Sequence, residues 1–511
     1  MEMAEDKRAM VITNLDYPDP DVIRVDDTYY MVSTTMYFMP GCEILKSKDL
    51  INWEHATFVY DYLDGTDGHK LKGDKNIYGK GMWAASLAYN KGTYYVVFAA
   101  NDTQKTYIYS TTDIEGKWEK RVLNELYYDN SLFFDDDGRV YIIYGHNNVF
   151  ITELKKDLSG AQEGGLNRLL IEDSSNKVLG YEGSHFYKID GKYFLFNIHS
   201  LSDRWRRVVS YHSSDSLEGE FVGGDCFDYD LDYCNQGIAQ GGLVETKDGA
   251  WFSILFQDRG AVGRIPVLVP VIWQDGKPVF GVGKIDYLSG KGQKTEDSNR
   301  IPLVQSDDFR QIQRYKNEKF DCFGFKSCWQ FNHEPDVSLI EHDITGGGYS
   351  VITDKICKNV TQAKNTLTQR MIYPGCSGEI TVDASMINDG DFCGLCALQG
   401  YYGLVAITKR DGRNYLVMKY KSWDDNGEIT AEEIEFEQDK VTFKIDVDFT
   451  YMKDEAYFYY KVGENWEKIG VTHKLRFSLD HFTGCRFGLF SYSTKTVGGK
   501  AFFSDFVYAK K

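Results

Sequence analysis

The chain has 511 residues, 42% of them hydrophobic, with 58 Lys+Arg against 76 Asp+Glu and a formal net charge of −18. This length allows two domains or more. So negative a surface repels phosphate backbones and argues against nucleic-acid binding, and no apolar run is long enough to cross a bilayer. The N-terminal stretch Met1 to Arg8 carries no apolar signal core, which predicts a cytoplasmic protein. The 36 Tyr, 31 Phe and 9 Trp suit an all-β chain, and Tyr and Trp are also the side chains that stack on sugar rings. Ten cysteines are scattered without a disulfide framework. The Cys393-Gly394-Leu395-Cys396 pair lies in an apolar run and has no second ligand pair at zinc spacing, so buried strand thiols are expected.

The first element is Asp16-Tyr17-Pro18-Asp19-Pro20-Asp21, leading into Val22-Ile23-Arg24-Val25. Two prolines fix φ and remove two backbone donors, so the stretch is a stiff extended lead into a strand. The same junction then recurs. An apolar strand, a tight turn of Asp, Asn or Gly and an aromatic opening to a second strand appear at Val22 to Val32 and again at Ser86 to Val97. They return at Ser131 to Ile143, Ser184 to Phe196 and Gly242 to Ile254. Turns such as Asp190-Gly191 are hairpin signals, and helical periodicity is nearly absent. The repeat period accommodates about four strands of ordinary length. Five such units, placed radially, predict a five-bladed β-propeller over residues 1–310.

Ser47 to Trp53 and Ser110 to Trp118 read as equivalent outer-strand turns of two blades, and Ser289 to Arg300 as a polar linker. From about Phe320 the strands lengthen and alternate evenly, as in Gly378 to Ala384. This predicts a β-sandwich over residues 311–511, with Asp424 to Glu437 as a solvated edge hairpin. The fold class is therefore all-β.

In a propeller the first strand of each blade runs along the axis, so the residues just before it converge at one end of the channel. Counting back from the aromatic openings selects Asp19, Trp83, Asp129, Glu182 and Gln240. Three carboxylates, an indole and an amide are thus expected to face one another. Converging carboxylates serve hard cations or glycoside hydrolysis. One carboxylate per blade is sparse for a metal cage, and it suits a hydrolase that needs one protonated and one ionised acid. Binding without catalysis remains the rival, because a sugar-binding propeller keeps the aromatics without needing both acids.

Tyr17-Pro18-Asp19-Pro20-Asp21, Asp129-Asn130-Ser131-Leu132-Phe133-Phe134, Tyr181-Glu182-Gly183-Ser184-His185, Gln240-Gly241-Gly242 and Phe256-Gln257-Asp258-Arg259-Gly260 resemble glycoside hydrolase family 43. Trp329 to Pro335, Leu367 to Arg370 and Phe487 to Phe490 resemble the C-terminal concanavalin-like domain of that family's β-xylosidases. The resemblance implies an inverting exo-enzyme that removes terminal xylose or arabinofuranose from hemicellulose oligosaccharides, with an arabinan-cleaving endo-hydrolase as the alternative within the family. It implies Asp19 as general base, Glu182 as general acid and Asp129 as the residue that orients and tunes the acid. Trp83, Phe38 and Tyr128 would wall the sugar subsite, with Gln240 and Arg264 contacting substrate. Tyr17 stands where many relatives carry His, and Gln236 and Gln240 stand where some place an axial His. No cofactor is required. A structural calcium is left open, with Asp505 in Phe503-Ser504-Asp505-Phe506 as its ligand. The expected partner is an oligosaccharide, without nucleic acid or membrane, and a homo-oligomer is left open.

Overall fold

The computed structural model describes residues 8–283, 285, 300–312 and 322–511. Four blades are four-stranded antiparallel sheets in simple up-and-down order. Blade I is Asp21–Val25, Thr28–Ser33, Gly41–Ser47 and Trp53–Tyr60; blade II is Met82–Asn90, Thr93–Ala100, Lys105–Thr111 and Glu119–Leu123. Blade III is Ser131–Phe134, Val140–His146, Asn148–Leu154 and Asn167–Glu172; blade IV is Glu182–Ile189, Lys192–Ser200, Arg207–Ser214 and Val222–Phe227. Each of the five predicted hairpins forms the inner pair of a blade. The two predicted outer turns are equivalent: each ends on a Trp whose indole donates back into the turn, Trp53 to Leu50 O and Trp118 to Ile114 O.

Blade V closes the ring. Its inner segments Ile238–Ala239 and Leu243–Glu245 pair with Trp251–Asp258, which pairs with Arg264–Gln274. The outer edge of that last strand is covered by Lys277–Phe280 and by the N-terminal Met10–Val11, in the register Met10 to Leu268. Both ends of the propeller sequence thus share one sheet, which leaves the ring without a free edge there.

The second unit is a sandwich of two eight-stranded sheets, and among the described residues the chain has no α-helix, only short 3₁₀ turns. Between the sheets lies a core that includes Trp329, Tyr349, Phe443, Phe458, Phe487 and Phe503. Cys393 and Cys396 are buried, unpaired thiols of the strand Asp391–Leu398. Ile429–Phe436, in the acidic stretch, is the solvated edge strand. Asp307 already bridges to Phe506, and Phe309 lies in the sandwich core. The predicted linker Ser289 to Arg300 lies outside the described residues apart from Arg300.

The two units are interlocked. Phe38–Met39, from the propeller, is the edge strand of a sandwich sheet, with Met39 opposite Phe331 and Phe38 opposite Asn332. The Arg370 guanidinium lies over the Tyr17 ring at 4.2 Å and pairs with Glu43 at 2.7 Å, and its Nε donates to Asp16 O. The buried Asp16 carboxylate accepts from Arg264 N at 2.8 Å and from Gly484 N at 2.7 Å, tying the last blade to the sandwich. Two glycines permit this approach: a Cβ on Gly263, where φ is 101°, would meet Asp16 Oδ1 at 2.1 Å, and one on Gly484 would meet Val262 O at 2.1 Å.

Candidate active site

The predicted convergence occurs. A cup of about 170 Å³ is lined by Asp19, Trp83, Tyr128, Asp129, Glu182, Gln240 and Arg264, together with Leu179, Trp205, Arg207, Leu479 and Phe482. Local backbone geometry aims the key side chains inward. Asp19, Asp129 and Gln240 each precede an inner strand and have φ of 50°, 45° and 54°. Left-handed backbone at a non-glycine residue costs roughly 1–3 kcal/mol and persists where the surroundings impose it. In blades II and IV the aiming device is an irregularity in the inner pair, between Met82 and Ala85 and between Glu182 and His185. Trp83 lies inside the first irregularity and Glu182 at the edge of the second, and such a bulge turns a side chain out of the regular alternation.

Asp19 is buried and held from two sides: Thr34 Oγ1 donates to Oδ2 at 2.7 Å, and Arg264 Nη1 donates to Oδ1 at 2.5 Å. Arg264 also faces Asp258 through Nε at 3.3 Å and lies between the rings of Phe256 and Phe482, at 4.4 and 4.0 Å. Burial would depress its pKa, but the facing carboxylates of Asp19, Asp258 and Glu182 outweigh this and raise it. Asp258 is shared with the buried Arg207, whose Nε lies 3.0 Å from Oδ2.

Asp129 has a pKa raised well above the ordinary carboxylate range. Burial is the main cause, the neighbouring charges of Glu182 and Asp19 add to it, and Arg264 and the Gly183 N–H oppose it. The Asp129 carboxyl is therefore harder to ionise than an ordinary carboxylate. Glu182 shares a hydrogen bond with His146 Nδ1 at 2.8 Å. Trp83 stands edge-on to Tyr128 and to Phe482, at 6.1 and 5.3 Å, forming an aromatic wall. Two buried donors of the wall, Trp83 Nε1 and Arg207 Nη1, have no hydrogen-bond partner among the described residues.

One predicted wall residue is elsewhere. Phe38 does not line the cup; it is buried at the junction of the two units, with the Arg486 guanidinium 3.5 Å from its ring. Its strand is captured by the sandwich, and Phe482 from the sandwich supplies the aromatic side in its place. Gln399 fixes that loop by donating to His481 O at 2.9 Å and Thr483 O at 2.7 Å, and Cys485 N donates to Ala261 O at 2.8 Å. No sequence signal announces Phe482 or Leu479, because they lie some 200 residues beyond the last blade. Arg207 and Trp205 belong to the third strand of blade IV and the turn before it, outside the repeat junction used for counting. His146 ends the second strand of blade III and was missed for the same reason.

Asp505 is exposed, at a left-handed φ of 57°, in the irregular part of the strand Lys500–Lys510. Among the described residues no three His, Cys, Asp or Glu side chains gather where a metal ion could be held, at Asp505 or elsewhere. Between blades IV and V is a cavity of about 10 Å³ whose polar lining is His185, Asn197, Gln240 and Ser253, room for about one water. The nearby Asp21 carboxylate is engaged by Val22 N, Leu87 N and His185. An imidazole, two amides and a hydroxyl do not supply the six to eight oxygens that calcium takes, so these residues do not fit that ion.

Comparison with known proteins agrees with this architecture. Residues 9–278 match the model of "Glycosyl hydrolases family 43", and residues 317–509 match "Beta xylosidase C-terminal Concanavalin A-like domain". The chain belongs to glycosyl hydrolase family 43. It is 26% identical to a β-xylosidase of Formosa agariphila, over 96% of this chain and 88% of the relative. It is 28% identical to a xylosidase/arabinosidase of Butyrivibrio fibrisolvens, over 53% of this chain and 56% of the relative. Among solved structures, a chain described as bifunctional GH43-CE from Bacteroides eggerthii superposes with a TM-score of 0.88 and 42% identity over 99% of this chain. This chain spans 64% of that one.

Proposed function

We propose that the protein is an exo-acting, inverting glycosidase that releases terminal pentoses, α-L-arabinofuranose or β-D-xylose, from hemicellulose-derived oligosaccharides. The observation that carries this reading is the cup itself: carboxylates from blades I, III and IV line one volume of about 170 Å³. That is below the roughly 300–1,000 Å³ of sites for drug-sized ligands, so it suits one sugar ring and not a chain passing through. Glu182 protonates the leaving oxygen, while Asp19 takes a proton from a water that attacks the opposite face of the ring. Asp129, whose carboxyl resists ionisation beside Glu182 and Asp19, orients the acid. The unpaired donors of Trp83 and Arg207 suit a ligand rich in hydroxyls. The names of the β-xylosidase and xylosidase/arabinosidase relatives support a pentose.

The test is turnover of 4-nitrophenyl β-D-xyloside and α-L-arabinofuranoside, with NMR of the anomer first released. Inversion, and a loss of about 10²–10⁴-fold in Asp19→Ala and Glu182→Ala, are expected. Retention, or full activity in either variant, would overturn the assignment.

A further inference from the structure

The cup adjoins a second, larger cavity. A groove of about 810 Å³ runs outward between the units, and Trp205 and Leu479 line both it and the cup. In the groove wall stands Trp423, 62% exposed, in the turn after the strand Arg413–Lys421. An indole that open to water presents a ring face on which an apolar or sugar face can stack. It is also held in place: the Arg476 guanidinium lies 4.9 Å from the Trp423 ring and 5.5 Å from the Tyr401 ring. The charges lining the groove balance, with Lys474 and Arg476 against Asp424 and Asp454. Nothing there selects a strongly charged partner.

We propose that this groove is the binding site for the leaving-group side of the glycan, holding two or more neutral sugar residues beyond the cleaved bond, with Trp423 as the stacking platform. The proposal rests on the glycosidase reading above, because the occupant is the remainder of a chain whose terminal ring sits in the cup. The juxtaposition supports it: the cup suits one ring, and the groove that shares Trp205 and Leu479 with it offers the remaining rings of a bound oligosaccharide a continuous path. The groove has ample volume for several rings, and its one large exposed aromatic lies on the sandwich. The sandwich thus acts on substrate length and not only on the closure of the cup.

The experiment compares wild type, Trp423→Ala and Trp423→Phe on two kinds of substrate, with thermal melts to confirm that the variants are folded. With xylo- or arabino-oligosaccharides of two to five units, wild-type kcat/KM should rise with length. Trp423→Ala should remove about three- to tenfold of that rise, the size of one aromatic stacking contact, and Trp423→Phe should restore part of it. Nitrophenyl glycosides, which do not reach the groove, should be cleaved equally by all three proteins. Calorimetric titration of the same oligosaccharides into Glu182→Gln, with and without Trp423→Ala, measures the groove without turnover, so it remains decisive even if no glycoside is hydrolysed. Wild-type kcat/KM independent of chain length, or unchanged affinity on loss of Trp423, would overturn the proposal.

Discussion

His146 Nδ1 lies 2.8 Å from Glu182 Oε2, so the proposed proton donor of the cup is coupled to a half-exposed imidazole on the neighbouring blade. The hydrogen bond to Glu182 raises the His146 pKa above 6.5, partial burial opposes this, and the Glu182 charge adds to it. A protonated His146 favours an ionised Glu182, which cannot serve as an acid. His146→Gln should therefore move the alkaline limb of the kcat/KM profile to higher pH, with the acid limb in place. Superposable profiles would remove His146 from the catalytic pH dependence. The same pair bears on stability. A raised folded-state pKa gives a contribution that is full below pH 6.5 and lost as pH rises through the raised value. Melts of His146→Gln and wild type should differ at pH 5 to 6 and converge at pH 8 to 9.

Asp129 gives the opposite linkage. Its carboxyl is pushed up from 3.8, by burial first and by Glu182 and Asp19 next. Between 3.8 and the raised value the folded state holds a proton that the unfolded chain has released, so stability falls as pH rises through that window. Asp129→Asn removes this titration. It should melt higher than wild type at neutral pH, the advantage should shrink toward pH 4, and turnover should drop by about 10²-fold or more as orientation of the acid is lost. A variant less stable than wild type at pH 7 would contradict the raised pKa of Asp129.

Arg264 binds Asp19 and Asp258 from one planar group held between two phenyl rings. Lysine retains the charge but neither the fork nor the stacking. Arg264→Lys should lower kcat/KM on nitrophenyl glycosides by about 10–100-fold, a loss of roughly 1.4–2.7 kcal/mol of transition-state stabilisation. Activity within twofold of wild type would show that Asp19 is held well enough by Thr34.

Asp16 is outside the cup yet supports it. Its two oxygens accept the backbone donors of Arg264 and Gly484, and its pKa is raised to about 6, by burial against those hydrogen bonds. Asp16→Ala leaves two buried N–H groups unsatisfied, at about 1–3 kcal/mol each. The variant should melt lower and lose activity together, because Gly484 anchors the loop that carries Phe482. An unchanged melting temperature with normal turnover would show that the sandwich wall needs no such tie.

Much of this protein was legible before its coordinates. Repeating hairpins with Asp-Gly and Asn-x-Gly turns are local chemistry, so blade number, inner strands and the inward placing of Asp19, Trp83, Asp129, Glu182 and Gln240 followed from spacing alone. Arg264 and Tyr128 came from family resemblance, and both reached the cup. Phe38 did not. Its apolar neighbours fit a pocket wall and a buried strand equally well, and pairing with Phe331 and Asn332, nearly three hundred residues away, decided between them.

The order of strands, their turns and the acids at the blade junctions were set by the sequence, because they depend on residues within a few positions of one another. Tertiary structure alone decided what closes the cup, what raises the Asp129 pKa and where the groove runs. Phe482, Leu479 and Trp423 meet the propeller only after the sandwich docks. The raised pKa of Asp129 depends on burial and on two charges brought from other blades, quantities that do not exist until the ring has closed.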